Sequence, residues 1–254
     1  MTADQYVGQL LAKYAVPRGP GSPALNALGV VVPSLRTWAN KYLSTIGPSG
    51  SFAKGTGVLG TTDLDVFVGI TNNAPENLLE LYESLHNWSV NQLWFPQRQN
   101  VSIGITWLGA KVDLVPAKRQ ANLSTDYSIW KNKQKTWRQT NVATHISTVV
   151  NSGRVNEIRA LKIWRKCHNL DFPSFYLELT VTDALWGKTK GVNLATNVFT
   201  CLEYIRDNIE TACVIDPANT ANVISDDLTA VEKKRIAEAA GKSREEPYWE
   251  QVLW

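Results

Sequence analysis

With 254 residues, 44% of them hydrophobic and 19% charged, the chain can bury a sizeable core, which argues against intrinsic disorder. The longest apolar run, Leu28 to Val32, falls far short of the roughly 18 residues that cross a bilayer. The first residues hold Asp4, no base before Lys13 and no apolar stretch, so neither a secretory leader nor a membrane association is expected, and the protein is expected in the cytoplasm. Three cysteines and three histidines are scattered, without a C-x-x-C pair, which excludes a disulfide framework and a zinc cage. The formal charge is only +3, but residues 111–138 hold seven bases against two acids. So local an excess suits a compact polyanion such as a nucleoside triphosphate better than a long nucleic acid.

In chain order, Ser22-Pro23 reads as an N-cap and a first-turn proline. Leu25, Leu28, Val32, Leu35, Ala39, Tyr42 and Ile46 recur at steps of three and four, which predicts one long helix over about 22–46, kinked at Pro33. A Gly/Ser/Thr-rich stretch, Gly47 to Thr62, precedes a predicted strand, Leu64 to Ile70. A helix is expected over Pro75–Trp88, then two strands, Val101–Trp107 and Ala110–Pro116, joined as a hairpin through Leu108-Gly109. From about Thr140 the pattern is helical, with helices near 140–151, 154–169, 174–187, 192–212 and 229–241. The last opens with the capping box Thr229-x-x-Glu232. Two domains are therefore expected: a mixed α/β half over 1–135 and a helical half over 136–254. Their boundary is placed in the Lys-rich stretch, and small ligands are expected in the cleft between the halves.

The chemistry concentrates between Gly50 and Asp113. Asp63 and Asp65 are two apart on a strand, so alternation places both carboxylates on one face while Leu64 and Val66 enter the core. Side-by-side carboxylates repel unless a cation joins them, and Mg²⁺ accepts oxygen ligands that it shares with substrate phosphates. Upstream, Gly50-Ser51 offers small side chains and backbone N–H groups that can approach a phosphate. A third acid, Asp113, stands in Lys111-Val112-Asp113-Leu114, and pairing of that strand beside Asp63 and Asp65 would complete a two-metal site. Gly55-x-Gly57-x-x-Gly60 matches a dinucleotide fingerprint only formally, because the glycines precede a strand instead of leaving one.

Gly-Ser followed by Asp-Leu-Asp and a later strand Asp resembles the signature of the DNA polymerase β-like nucleotidyltransferase superfamily. Gly-Ser-Phe-Ala-Lys-Gly-Thr is similar to the wording in archaeal CCA-adding enzymes, oligoadenylate synthetases and bacterial cyclic-oligonucleotide synthases, the CD-NTases. The segments Thr136–Thr140, Glu157–Trp164, Phe172–Glu178 and Ile215–Asn219 resemble the bacterial group most. The resemblance implies an α+β fold, a polymerase β-like nucleotidyltransferase core of mixed sheet and flanking helices joined to a C-terminal helical bundle. It implies catalytic, metal-binding Asp63, Asp65 and Asp113 with two Mg²⁺ ions, Mn²⁺ being a substitute, and nucleotide-binding Gly50 and Ser51. It also implies that Lys162 meets the donor triphosphate, Ser174 a phosphate and Phe175 a base. The implied partners are nucleoside triphosphates, a regulatory protein and a downstream effector that reads a short, cyclic product in anti-phage signalling. Addition of nucleotides to an RNA 3′ end, or linear oligoadenylate synthesis, is the alternative.

Overall fold

Ser22 accepts a hydrogen bond from the amide of Leu25 (3.4 Å), so the expected cap does start a helix. The computed structural model describes residues 1–61 and 63–254; Thr62, the last residue of the Gly/Ser/Thr-rich stretch, lies outside them. In chain order the elements are α1 (Ala3–Lys13), α2 (Pro23–Ala39), a 3₁₀ turn (Asn40–Tyr42), β1 (Leu43–Pro48), α3 (Gly50–Lys54), β2 (Leu64–Ile70) and α4 (Leu78–Asn91). There follow β3 (Gln97–Arg98), β4 (Ile103–Trp107), β5 (Ala110–Arg119), β6 (Tyr127–Lys131), β7 (Thr136–Thr140), α5 (Val142–Ser152), α6 (Val155–Cys167), α7 (Ser174–Ala184) and α8 (Leu194–Asn208). A short ribbon, β8 (Ile215–Asp216) with β9 (Asn219–Val223), precedes a second 3₁₀ turn (Ile224–Asp227), α9 (Ala230–Glu245) and α10 (Trp249–Val252). Among the described residues no helix is long and apolar enough to cross a membrane.

Two compact units result. One comprises Pro17–Ala53 and Asp63–Ile146; the other joins Met1–Val16 and residues 54–61 to Ser147–Trp254. This division differs from a single break at residue 135. Helix α1 buries Val7, Leu10 and Leu11 in the helical core, and β6 and β7 extend the sheet to Thr140.

The first unit is built on a mixed seven-stranded sheet. β2 lies between β1, antiparallel, and β5, parallel; β5 also pairs with β4 and β6, both antiparallel. Leu64, Val66, Val68, Val112 and Leu114 are buried on one face of the sheet, on which α2 and α4 pack. Those helices are tied to each other where Trp88 Nε1 donates to Ser34 Oγ (3.1 Å) and Trp38 Nε1 to Ser84 Oγ (3.1 Å). Phe67, Ala117, Tyr127 and Ile129 form a second cluster on the opposite face. The expected hairpin of β4 and β5 is present, turning through Leu108 (φ 46°) and Gly109 (φ 81°), the left-handed pair of a tight hairpin.

Two expectations need correction here. The long helix stops at Ala39, because Asn40 takes φ 49° and Leu43–Pro48 pairs with β2. Tyr42 and Ile46 shared the helical spacing by coincidence. The buried face of α2 is Ala27, Val31, Leu35 and Ala39; Leu35 and Ala39 are as expected, while Leu25 is exposed and Leu28 and Val32 are half-buried. The helix does continue through Pro33. The Lys-rich stretch is a hairpin, β6 and β7, with Trp130 opposite Trp137 in register.

In the second unit, α6 buries seven residues, Glu157, Lys162 and Trp164 among them. Trp164 is fully buried and donates from Nε1 to Ser243 Oγ of α9 (2.9 Å). A buried large side chain of this kind stabilises by about 3 kcal/mol. Helix α1 has a capping box of Thr2 and Gln5, and Asp4 Oδ1 accepts the amide of Ala195 at the start of α8 (2.7 Å). The capping box at Thr229 and Glu232 opens α9 as expected. Asp216 is buried and accepts from Ala218 N (2.9 Å) and Asn222 Nδ2 (3.0 Å), so Asp216–Asn219 is the structural turn of the β8–β9 ribbon. Cys167 and His168 serve structure: Cys167 Sγ bonds to Trp254 O (3.2 Å) and His168 Nε2 to Val252 O (3.0 Å).

Candidate active site

The sheet register brings the acids together. β2 and β5 run parallel with Asp65 directly opposite Asp113, and Asp63 immediately precedes β2. Neighbouring strands lie about 4.8 Å apart, and two carboxylates at that distance repel by about 3 kcal/mol at an effective dielectric constant of about 20. Asp113 registers the strain: burial first, and then the nearby charge of Asp63, push its carboxyl above the usual range. Gln99 works against this, donating from Nε2 to Asp113 Oδ1 (2.8 Å). The side chain of Gln99 fits because residue 104, opposite Asp113 on β4, is glycine: a Cβ there would come within 2.5 Å of Gln99 Nε2.

Gly50 abuts the same group. Its φ is 55°, and a Cβ would fall 1.8 Å from Asp65 Oδ2, so any side chain would displace the carboxylate. The turn is pinned by the amide of Ser49 donating to the carbonyl of Asp65 (2.8 Å). Arg18 also secures it, lying over the Phe52 ring (4.8 Å) and donating to the Phe52 carbonyl. Ser51, half-buried in α3, is carried beside Gly50 on this anchored turn.

These residues supply hard oxygen donors of one sign on one sheet face, the donor chemistry that Mg²⁺ accepts. Among the described residues no three or more Asp, Glu, His or Cys side chains stand together as a ready-made metal cage.

The other expected residues lie in the helical unit. Lys162 is 2% exposed, not a solvated surface lysine: its Nζ donates to Glu178 Oε1 (2.6 Å) and to Thr56 Oγ1 (3.1 Å). Glu178, fully buried on α7, also accepts from Lys54 Nζ (2.7 Å) and from Thr56 Oγ1 (2.6 Å). Burial draws the Lys162 ammonium below its ordinary value, opposed by Glu178. Burial alone would raise the Glu178 carboxyl, but the two ammoniums outweigh it and hold it below the usual range. Phe175 lies under the Lys54 ammonium (4.4 Å). Ser174 is the first residue of α7, where Pro173 holds the cap position, and its hydroxyl accepts from Arg165 (3.1 Å). Arg165, drawn below its ordinary value by burial, also donates to the Phe172 carbonyl. Gln99, Lys54, Thr56, Arg165 and Glu178 were not singled out from the sequence. For Lys54 and Thr56 a signal existed, since both stand in the Gly-Ser-Phe-Ala-Lys-Gly-Thr run.

No protein-family model matches the chain, and no curated protein sequence matches it. Its fold is nevertheless that of a CD-NTase-like nucleotidyltransferase, a mixed sheet followed by C-terminal helices. The chain is similar over 98% of its length to CdnC of E. coli MS115-1, solved with ATP (18% identity, 96% of that chain, TM-score 0.79). It is similar over 96% to the CD-NTase CdnG of Bradyrhizobium diazoefficiens, solved with GTP (13% identity, 90% of that chain, TM-score 0.81). A third similar structure is the cyclic dinucleotide synthase CdnE of Elizabethkingia meningoseptica with GTP and Apcpp (13% identity, 97% of this chain, 100% of that one, TM-score 0.74). At such identities what is shared is the fold.

Proposed function

We propose that the protein is a metal-dependent nucleotidyltransferase that joins nucleoside triphosphates into a short, cyclic oligonucleotide, with release of pyrophosphate. The observation that carries this reading is the register of Asp65 opposite Asp113, with Gly50 packed against Asp65, in a chain whose fold is that of the CD-NTases. Asp63, Asp65 and Asp113 would hold two Mg²⁺ ions, for which Mn²⁺ can substitute. When bound, these ions supply a more acidic acceptor hydroxyl and neutralise charge on the triphosphate.

The chain's own groups do the rest. Gly50 leaves the backbone open for a phosphate, and the Ser51 hydroxyl donates to it. Asp113 Oδ2 is the proton acceptor for the attacking 2′- or 3′-hydroxyl, while Gln99 keeps Oδ1 occupied and the carboxylate oriented. In the helical unit, Lys162 uses two N–H groups on Glu178 and Thr56, which leaves a third for the donor triphosphate. Ser174 and Arg165 offer a hydroxyl and a guanidinium to a phosphate, and Phe175 offers a stacking face to a base. The product would act as a second messenger read by a downstream effector in anti-phage signalling, with a regulatory protein controlling synthesis.

The test incubates the protein with the four α-³²P-labelled NTPs and Mg²⁺ or Mn²⁺, treats with phosphatase and resolves the products, with Asp63→Ala/Asp65→Ala as control. A phosphatase-resistant small product absent from the control is expected. Pyrophosphate released only when RNA is added would replace this reading by end addition.

A further inference from the structure

The buried cluster of Lys54, Thr56, Lys162 and Glu178 holds two ammoniums and one carboxylate. Charges this deep are normally matched one to one, because taking each ion out of water costs several kcal/mol. Here one cation is in excess. Arg165 adds to it, since its guanidinium lies close enough to lower the Lys162 ammonium's hold on its proton, and Asp171 faces Arg165 in turn. Lys162 and Thr56 both donate to Glu178 Oε1, and Lys54, on Oε2, brings the second positive charge. An uncompensated buried cation is affordable where an anion completes the group when it binds.

We propose that Lys54 and Glu178 are positioning residues for Lys162. Glu178 clamps the Lys162 ammonium by one N–H, and Lys54 supplies the surplus positive charge that keeps the third N–H of Lys162 available for a nucleotide polyphosphate. Without Lys54, Glu178 and Lys162 form a neutral pair with little attraction for an anion. With it, the cluster carries a net positive charge that a polyphosphate neutralises. The proposal rests on the nucleotidyltransferase reading, and it deepens that reading by assigning the charge that sets polyphosphate affinity. Thr56 takes part through its hydroxyl, which accepts from Lys162 while donating to Glu178.

Isothermal titration with α,β-methylene ATP and its GTP counterpart, in Mg²⁺, measures this without turnover. Lys54→Met is expected to weaken binding about tenfold, the worth of one charge-assisted contact, with a lower melting temperature because the buried Glu178 Oε2 loses the Lys54 ammonium. Lys54→Arg restores the affinity. A purely structural role predicts the lower melting temperature with unchanged affinity of the folded protein for the analogues. Glu178→Gln removes the one carboxylate of the cluster and leaves Lys162 beside the cations Lys54 and Arg165, so its proton is held less tightly. Binding by that variant should weaken with rising pH at a lower pH than binding by the wild type does. If Glu178→Gln does not fold, the Lys54 pair of variants decides. Wild-type binding with unchanged affinity in Lys54→Met overturns the proposal alone. Failure of the wild type to bind either analogue overturns the functional reading and the proposal with it.

Discussion

The sheet unit and the helical unit treat charge in opposite ways. In the sheet unit, Asp63, Asp65 and Asp113 are half-buried acids set side by side by backbone register, and Asp113 is pushed toward protonation by burial and by Asp63. In the helical unit, Glu178 is fully buried and satisfied by Lys54, Lys162 and Thr56. The first arrangement stores repulsion that a divalent cation would relieve; the second holds ions of opposite sign in place. The sheet ladder fixes the like charges of the first unit, whereas in the second Glu178 stands between two ammoniums and holds them.

The comparison can be broken first at the acids. If Asp63 and Asp65 hold the proposed metal ions, Asp63→Ala/Asp65→Ala should lower nucleotide transfer at least about 1,000-fold, while the melting temperature in metal-free buffer holds or rises. A fall in melting temperature would mean that these acids stabilise the fold after all. Gly50→Ala comes next. Its Cβ would collide with Asp65 Oδ2, and φ 55° disfavours a side chain, so about a 100-fold loss of activity and about 1–2 kcal/mol of stability are expected from kinetics and denaturant unfolding.

In the helical unit the sign reverses. Glu178→Ala strands two buried ammoniums, which should cost about 3–5 kcal/mol in denaturant unfolding. The pH dependence follows from the same pairing. Glu178 is held below its ordinary value of 4.5, so its contribution is fully present above that pH and is lost as pH falls toward the lower folded value. Wild-type melting temperature should therefore drop on acidification below 4.5 more steeply than that of Glu178→Gln. The smallest effect is expected at Gln99. Gln99→Ala frees Asp113 Oδ1 and should reduce transfer about tenfold, as for loss of an orienting hydrogen bond, with the melting temperature little changed.

Strand β2 and the turn at Leu108-Gly109 were legible because local patterns suffice for them: Leu64, Val66 and Val68 alternate, and a glycine marks the tight turn. Helix α1 was equally local, with Thr2 and Gln5 as a capping box, but was not read from the sequence. The end of α2 was harder, since Tyr42 and Ile46 continue a helical spacing that only the pairing of β1 with β2 overrides. β6 and β7 were hidden by the bases around their turn: Lys131 ends β6, Lys133 and Lys135 lie between the strands, and Arg138 stands in β7. That basic composition concealed the alternation by which Tyr127 and Ile129 fill one face of β6.

The acids divide the same way. The two-residue spacing of Asp63 and Asp65 implied a shared strand face, but β2 begins at Leu64, so Asp65 lies in the strand and Asp63 just before it. That Asp113 joins them depends on the parallel register of two strands almost fifty residues apart, which no local pattern encodes. The partners of Lys162 are of this second kind. Thr56 and Lys54 precede it by more than a hundred positions and Glu178 follows on another helix. Periodicity and motif wording report what neighbours along the chain do. Which distant groups share one buried volume is settled by the folded packing, because the cost of an unpaired buried charge is felt only once the core has closed around it.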